Sequence, residues 1–449
     1  MRITKKVSAI VAVAALSAAG LAGCGAEEKK ADPAPSAAPS AEAPKADGEK
    51  VVIKYLHRLP DGDGMVKVAD AAAKFNAENP DVEVQVEKFD GKAQESYAKI
   101  NQLVKAGEPA KGYCLAQIGY GEVASEYVAG DLEDVSAEAA QYKDNFYPGA
   151  MGMMTLGDVV VGLPQDIGPL VYTYDKDEFD ALGIQPPKTW DEFMEAAKKA
   201  KEKGKFIATW QGDETQYRMS GLAASNGATW FSAEGDKWKI DANGEKTAQV
   251  AEKVQAMLDQ DLMLKIDRWG DDWKVAMKDK KIIGTIAAGW EPGFMLGDLG
   301  VEKANWQVTR IPTVSGEEMT GSDGGSGIGV LKGCSNKEAA LKFANWYNTN
   351  VDDLASQGLV IATNKGTPKT PDAVKALWGG QDVMAELGNL AQKMNPNFPY
   401  LPTWPAVGKA MGEEGGKVSA GGAKVADVFK TAQDTAVKSM KDAGLPVAE

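Results

Sequence analysis

The chain has 449 residues, of which 44% are hydrophobic and 25% are charged, and its formal net charge is −14. This length and composition allow a large folded body of two lobes and argue against general disorder. The acidic balance disfavours nucleic acid and anionic lipid as direct partners, because a negatively charged surface repels both.

Metal and cofactor chemistry is not expected. His57 is the single histidine, and there are three cysteines. A zinc cluster, a Cys/His nucleophile pair or a Ser/His/Asp triad therefore cannot be assembled away from His57. We accordingly predict no metal site and no cofactor.

Residues 1–23 have the pattern of an export signal. A basic start is followed by an apolar run from Val7 to Leu16, and small residues precede Cys24. The run is too short to span a bilayer by itself. The segment resembles the bacterial lipobox, which implies cleavage before Cys24 and lipidation of its thiol. We expect the protein to be lipid-anchored at the extracellular face of the cell membrane.

Residues 24–50 follow as a predicted tether. After the cysteine, this segment is composed mainly of Ala, Pro, Ser, Glu and Lys and has no large apolar side chain. It therefore cannot offset the entropy of ordering by burial, and we predict that it is disordered. A proline-rich chain of this kind is extended, which would hold the folded body away from the membrane. The folded region is predicted to start at Val51.

From Val51 onward the hydrophobic pattern predicts an α/β fold that opens with a βαβ unit. Strands are predicted at 51–56, 82–86, 114–119, 170–174, 282–287 and 328–331, and helices at 65–79, 189–204, 249–259, 273–280, 337–347 and 425–443. Thr189 and Glu192 have capping-box spacing. Residues 320–329 hold five glycines, which predicts a flexible crossover and not the interior of an element.

The stretch from Leu163 to Phe193 (LPQDIGPLVYTYDKDEFDALGIQPPKTWDEF) carries the most specific pattern. Its order of proline, acid, glycine, aromatic strand and PPKTWDE resembles the extracellular solute-binding proteins of family 1, the sugar-capturing subunits of ABC importers. The segments Phe75 to Val84 and Ile282 to Trp290 resemble further elements of that family. An ordinary strand-to-helix connection in another α/β protein is the alternative.

This resemblance implies a two-lobe, periplasmic-binding-protein-like fold of type II, with a multi-strand hinge and a ligand cleft between the lobes. It assigns residues 51–165 and 325–360 to lobe 1, and residues 166–324 and 361–449 to lobe 2. It also implies a monomer that closes on a carbohydrate, in particular an oligosaccharide, and delivers it to the permease subunits of the importer.

Sugar binding requires an aromatic platform for the C–H face of the ring and planar polar groups for its hydroxyls. Trp290 and Trp404 are the candidate platforms, and core packing is the alternative for each. Asp166 is the strongest polar candidate, with a turn cap as its alternative. Tyr120 and Glu122 are further candidates, with ordinary solvation as an equal alternative. His57, with Arg58 beside it, is another, with a surface position as its equal alternative. Glu291 and Asp323 complete the set, and the signal for Asp323 is weaker.

Cys114 and Cys334 are expected to form a disulfide. The resemblance implies export to an oxidising setting, and the family's topology returns the segment that carries Cys334 to the lobe of Cys114. The family's Pro-Asp pair is missing before Cys114, so two separate buried thiols are the alternative.

Two other protein classes remain open at this stage. A secreted glycoside hydrolase could draw an acid and a base from the pairs Asp271-Asp272 or Glu413-Glu414. Adjacent acids point apart on most backbones, however, and no cleft motif brackets these pairs. An adhesin or peptide-binding surface protein is a third option, which the number of tryptophans near turns disfavours. The leading interpretation is a binding protein without enzymatic activity.

Overall fold

Two long strands, Gly162–Asp175 and Ser322–Val330, lie side by side within a seven-stranded sheet. The computed structural model describes residues 50–448 apart from 63–64, 92, 235–236, 269, 294, 296–298, 300–302, 371 and 396. The predicted signal segment, the lipidated Cys24 and nearly all of the predicted tether lie outside these residues.

The strands in chain order are β1 (Val51–His57), β2 (Val82–Lys88), β3 (Leu115–Gly119), β4 (Thr155–Leu156), β5 (Val159–Val160), β6 (Gly162–Asp175), β7 (Thr209–Trp210), β8 (Phe231–Glu234), β9 (Lys237–Ile240), β10 (Leu264–Lys265), β11 (Gly284–Ala288), β12 (Trp306–Thr309) and β13 (Ser322–Val330).

The helices are α1 (Val68–Glu78), α2 (Ala93–Lys105), α3 (Tyr120–Val128), α4 (Ser136–Ala139), α5 (Pro148–Met153), α6 (Lys176–Leu182), α7 (Trp190–Lys201), α8 (Thr215–Ser225), α9 (Glu245–Asp259), α10 (Asp271–Lys278), α11 (Lys337–Asn348), α12 (Val351–Ser356), α13 (Asp372–Leu377), α14 (Val383–Ala391), α15 (Trp404–Ser419) and α16 (Val425–Asp442). Short 3₁₀ turns cover Glu108–Lys111, Lys143–Asn145 and Glu291–Gly293.

The main sheet has the order β11-β6-β13-β3-β1-β2, and β12 also pairs with β6. β1 is parallel to β2 and β3, as the βαβ opening predicts. β13 is antiparallel to both β3 and β6, so it joins the parallel part of the sheet to the long strand.

β6 takes part in both ends of this sheet. Its first part, from Gly162 to Pro169, pairs with β13. Its second half, from Leu170 to Asp175, lies between β11 and β12 and is antiparallel to both. β6 and β13 are therefore the strands through which the two ends of the sheet are connected.

The glycine-rich run was expected not to form the interior of an element, and this part of the prediction was wrong, because most of the run forms β13. Its role as a crossover stays a prediction. Two irregularities in the β13 register lie where the partner strand has Pro164 and Pro169, which have no N–H to donate to a ladder. Gly324 and Gly325 have φ values of 83° and 95°, which a β-bulge can require and which glycine adopts at little cost. The glycines therefore shape a strand and do not interrupt one.

The predicted start of α7 is confirmed. Thr189 Oγ1 accepts a hydrogen bond from the Glu192 backbone N–H at 3.2 Å, and Glu192 Oε2 accepts one from the Thr189 N–H at 3.2 Å. Both partners of the capping box are present, which satisfies amide groups that the first turn of a helix leaves unpaired. Trp190 and Phe193 then pack into the core.

The disulfide prediction is confirmed, and the alternative of two free thiols is excluded. Cys114 and Cys334 are bonded, with their Cα atoms 5.0 Å apart. Cys114 immediately precedes β3 and Cys334 follows β13, and these two strands are neighbours in the sheet. The N–H of Leu331 also donates to the carbonyl of Cys114 at 2.8 Å, so strand pairing brings the two cysteines together.

Among the described residues, none of the helices combines the length and the apolar character needed to cross a membrane.

Candidate functional site

The residues that follow β1, β3 and β11 gather with side chains from the middle of β6 and the start of β13. In α/β proteins, side chains at the carboxyl ends of sheet strands form the usual ligand crevice, especially where the strand order reverses. Here the strand order changes at β6 and β13. The polar groups described below therefore occupy the expected place for a binding cleft.

Arg58, just after β1, belongs to a group of interacting side chains that includes Tyr97 and Glu122. Its backbone N–H donates to Gln117 Oε1 at 2.8 Å, and its guanidinium lies 5.4 Å from the centre of the Tyr97 ring. The Tyr97 hydroxyl lies 3.2 Å from Glu122 Oε2 and donates to it. Burial raises the pKa of Glu122, although Arg58 and the tyrosine hydrogen bonds oppose this rise. The Glu122 carboxyl is thus fixed near a cation.

A second chain of hydrogen bonds leads to Asp166 on β6. Gln117 Nε2 donates to Ser326 Oγ at 3.0 Å, and the Ser326 hydroxyl donates to Asp166 Oδ1. Asp166 is 5% exposed, and burial raises the pKa of its carboxyl to about 6 despite the serine hydrogen bonds and Arg58. Because Gln117 donates to Ser326 and Ser326 donates to Asp166, the Asp166 carboxylate is the last acceptor in this chain of hydrogen bonds.

Tyr120, the first residue of α3, lies beside this carboxyl. Its ring packs against the bulge of β13, where a Cβ on Gly325 would be 2.8 Å from it. Burial raises the pKa of Tyr120 well above its usual value, with a further contribution from Asp166. Within the described part of the chain, the buried Tyr120 hydroxyl has no hydrogen-bond partner.

Trp290 follows β11 and is only partly buried, and contacts with β13 hold one edge of its ring. Its indole N–H donates to the carbonyl oxygen of Asp323 at 3.0 Å. A Cβ on Gly324 would lie 3.0 Å from the same nitrogen, so glycine permits the close approach. The Arg268 guanidinium lies 4.9 Å from the ring centre. An aromatic ring held in this way can serve as a platform for the C–H face of a sugar.

Two buried arginines and three acids lie next to Trp290. Arg218 Nη2 is 3.1 Å from Glu291 Oε1 and 3.5 Å from Asp323 Oδ2. Arg268 forms ion pairs with Glu214 and Glu291. These pairs neutralise both guanidiniums, as buried charges require.

Arg218 and Arg268 affect the pKa values of Glu291 and Asp323 differently. Burial tends to raise the pKa of Glu291, but Arg268 and Arg218 outweigh it and hold this pKa below its ordinary value. For Asp323, burial outweighs the same guanidiniums and raises the pKa. Glu291 is therefore the firmly ionised partner of the two arginines, in keeping with its hydrogen bond from the Ala288 N–H.

Trp404 opens α15 and is 1% exposed. Its ring centre is 4.8 Å from that of Tyr400, and Trp230 and Tyr217 lie at 6.4 and 6.5 Å. A Cβ on Gly121 of α3 would be 2.9 Å from two of its ring atoms. This environment supports the core-packing alternative for the conformation described, and a platform role for Trp404 stays a prediction.

His57, the last residue of β1, lies in a different environment from its neighbour Arg58. It is 1% exposed, packs 5.6 Å from the Tyr55 ring, and places Nε2 3.9 Å from Asp61 Oδ2. Burial lowers its pKa to about 4, which keeps the ring neutral at pH 7. The surface alternative for His57 was wrong, and Arg58 is the residue that contacts the polar groups of the cleft.

Among the described residues, no group of three or more His, Cys, Asp or Glu side chains could hold a metal ion. The acids of the cleft are paired with arginines or hydroxyls instead. The arrangement has the features of a site for a neutral polyhydroxylated ligand, with acceptors at Asp166 and Glu122 and a ring at Trp290.

Comparison with protein families gives a match to the bacterial extracellular solute-binding proteins over residues 58–353. The chain belongs to this family. This solute-binding protein also resembles an ABC transporter periplasmic-binding protein, YcjN of Escherichia coli K12, with 24% identity over 80% of this chain and 82% of the other. The match to the sn-glycerol-3-phosphate-binding protein UgpB of the same strain has 26% identity and spans about half of each chain.

Solved structures of similar proteins include the galacto-N-biose/lacto-N-biose I-binding protein of the ABC transporter from Bifidobacterium longum in complex with lacto-N-biose. It is 39% identical, covers 90% of this chain and 100% of its own, and superposes with a TM-score of 0.84. A binding protein from B. animalis subsp. lactis in complex with β-1,6-galactobiose shares the fold, with 23% identity, 89% and 100% coverage and a TM-score of 0.73.

These matches confirm the predicted family and the two-lobe α/β fold of type II. The family and its structural neighbours are substrate-binding proteins. Of the acidic pairs considered for a hydrolase, Asp271 and Asp272 are exposed at the start of α10. Glu413 and Glu414 lie in α15 and pair with lysines of the same helix.

Sequence interpretation missed several residues of this candidate site. Gln117 and Ser326 form the chain to Asp166, and Arg218 and Arg268 surround Glu291. Ser326 could have been noticed, since it lies in the glycine-rich run, and Arg218 lies in a stretch rich in polar and aromatic residues. Arg268 follows β10 in a loop and gave no local signal.

Proposed function

We propose that this protein is the carbohydrate-binding subunit of an ABC importer and that its ligand is a small oligosaccharide. The observation that carries the proposal is the 39% identity, over 90% of the chain, to a binding protein solved with lacto-N-biose. The cleft supports it, because Trp290 offers a ring beside the polar groups of Asp166, Tyr120 and Glu122.

The charge distribution favours a neutral ligand over a phosphorylated one. Asp166, Glu122 and Asp323 bring carboxyl groups to the cleft, and the guanidiniums of Arg218 and Arg268 are paired with acids. An anionic ligand would have to displace these pairs or approach the carboxylates directly, and both are costly. A disaccharide instead supplies hydroxyls that can donate to the carboxylates.

Capture would work by closure of two lobes. The pairing of β6 and β13 supports a hinge at these strands, with residues 51–165 and 325–360 in one lobe and residues 166–324 and 361–449 in the other. A ligand that contacts both lobes stabilises the closed state by its differential affinity. The closed monomer would then be recognised by permease subunits.

The anchor belongs to the same proposal. The basic start, the apolar run and the small residues before Cys24 support export and lipidation. A diacylglycerol on Cys24 and the Pro/Ala-rich tether would keep the binding body at the extracellular face of the cell membrane, close to the permease.

Isothermal titration calorimetry with lacto-N-biose, galacto-N-biose, β-1,6-galactobiose, maltotetraose and sn-glycerol-3-phosphate tests the proposal. We expect saturable binding of at least one saccharide, no binding of sn-glycerol-3-phosphate, and no hydrolysis product after incubation. Absence of binding to every saccharide, or binding of the phosphate alone, would refute it, and release of monosaccharides would favour a hydrolase.

Trp290→Ala localises the binding. The loss of an aromatic platform should weaken saccharide affinity by about 1–3 kcal/mol. Trp238→Ala on β9, a partly buried tryptophan of the separate β8–β9 pair, is the matched control and should bind as the wild type does. Equal affinities of the two variants would show that the ligand does not use Trp290.

A further inference from the structure

Arg268 places a buried cation on the ring of Trp290. The guanidinium carbon lies 4.9 Å from the ring centre, and Arg268 is 4% exposed. A buried guanidinium needs acidic partners, which Arg268 has, but those partners do not require it to lie over an indole. The position over the ring therefore calls for a separate explanation.

The plane of this guanidinium is fixed from two directions. Glu214 Oε2 accepts a hydrogen bond from Nε of Arg268 and forms an ion pair with Nη2, and Glu291 forms an ion pair with Nη1. Glu214 immediately precedes α8, whereas Glu291 follows β11. Because a guanidinium is planar and its donors form a rigid fork, acids at different nitrogens set the orientation of the whole group. A lysine in the same place could satisfy the charges without defining a plane.

Two further contacts of Trp290 lie at the edge of its ring. The indole N–H donates to the Asp323 carbonyl at 3.0 Å, and Gly324 lies close to the same nitrogen. Arg268 lies over the ring and Asp323 bonds to its edge, while the side chain as a whole remains partly exposed. The C–H face of a pyranose packs on one face of an aromatic ring, so the aromatic ring must be held in one orientation to present that face.

We propose that Arg268 is a positioning residue of the carbohydrate cleft: lying over the ring of Trp290 and fixed by Glu214 and Glu291, it sets the orientation in which the indole meets the sugar. This inference rests on the proposed function. The competing explanation is that Arg268 only neutralises the two buried acids.

A double-mutant cycle separates the two explanations. Arg268→Lys keeps the charge but removes the planar face. With the saccharide that the wild type binds, we expect an affinity loss of about 10-fold in the wild-type background and less than about 2-fold in the Trp290→Ala background. Arg310→Lys, at a paired arginine outside the cleft cluster, is the control and should change neither. An equal loss in both backgrounds, or none, would overturn the proposal.

A second measurement needs no ligand. In protein labelled with 5-fluorotryptophan, the ¹⁹F line of Trp290 is identified by its loss in Trp290→Phe. In Arg268→Lys this line should shift or broaden while that of Trp346 on α11 stays in place. An unchanged Trp290 line would contradict the positioning role whether or not a saccharide binds, so failure of the inference is distinct from failure of the proposed function.

If Arg268→Lys does not fold, Glu214→Gln takes its place in both measurements. It preserves the size of the side chain but weakens its hold on the guanidinium at Nε and Nη2. The same coupling to Trp290 and the same change of its ¹⁹F line are expected. A folded Glu214→Gln variant with wild-type affinity and an unchanged Trp290 line would overturn the proposal.

Discussion

Asp166→Asn should stabilise the protein near neutral pH while weakening ligand binding. Asp166 is buried on β6 and accepts a hydrogen bond from Ser326. Asparagine has nearly the same shape and can still accept from Ser326 through its carbonyl oxygen, but it cannot ionise. The substitution therefore removes the cost of a buried carboxylate and leaves most of the packing intact.

The magnitude follows from the pKa of the carboxyl. Burial raises this pKa from 3.8 to about 6 in the folded protein, and a rise of this size corresponds to roughly 3 kcal/mol. Below about pH 4 the carboxyl is protonated in both states, so there is no cost. As the pH rises from about 4 to 6, the unfolded chain loses its proton first, and the stability of the wild type falls.

Urea unfolding of the wild type and Asp166→Asn from pH 4 to pH 8 measures this effect. The new amide group needs a partner of its own, which costs about 1 kcal/mol. We therefore expect the free energy of unfolding of the variant to exceed that of the wild type by about 1–3 kcal/mol at pH 7.5, and not to exceed it at pH 4, where the cost of the amide remains and the cost of the carboxylate is nearly absent. The exposed control Asp81→Asn should show a small difference. A difference for Asp166→Asn that does not change with pH would refute the reasoning.

Calorimetry on the same variant tests the functional half of the argument. A carboxylate accepts hydrogen bonds from ligand hydroxyls at its remaining oxygen, whereas an amide presents a donor there. Saccharide affinity should fall by about 10-fold, the value of a hydrogen bond to a charged group. A stabilised variant with wild-type affinity would remove Asp166 from the set of ligand-binding residues.

Three other outcomes are expected. Gly121→Ala should destabilise the protein by about 1–3 kcal/mol in urea, because the new Cβ would lie 2.9 Å from Trp404; an unchanged midpoint would contradict the close packing. Reducing the Cys114–Cys334 bond, which closes a separation of 220 residues, should lower the free energy of unfolding by up to about 5 kcal/mol. Saccharide affinity should stay nearly unchanged, and a large loss of affinity in the folded, reduced protein would contradict a purely stabilising role of the bond. Cys24→Ser should move the protein from washed membranes to the soluble fraction, and its retention in membranes would exclude the lipid anchor.

The sequence by itself determined the family and part of the secondary structure. Alternating or helical spacing of apolar residues reflects which face of an element is buried, so β1, β2, α1 and the final helix α16 were predictable to within a few residues. The capping box at Thr189 depends on residues three positions apart, and local chemistry was sufficient to identify it. The motif from Leu163 to Phe193 was specific enough to indicate the family.

Only the tertiary structure decided what the cleft contains. Gln117 and Ser326 are 209 residues apart, and they meet because β3 and β13 pair in one register. The glycine-rich run forms a strand because it pairs with β6, and bulges in the run accommodate the irregular register of this pairing.

Burial was also a tertiary result. Trp404 and His57 have local surroundings that would suit exposure, but each is 1% exposed in the structure because elements distant in sequence cover it. The position of Arg268 over Trp290 depends in the same way on acids from two separate elements. Local sequence encodes which face of an element is apolar, whereas the neighbour of each polar side chain is set by strand order and register, which no single stretch specifies.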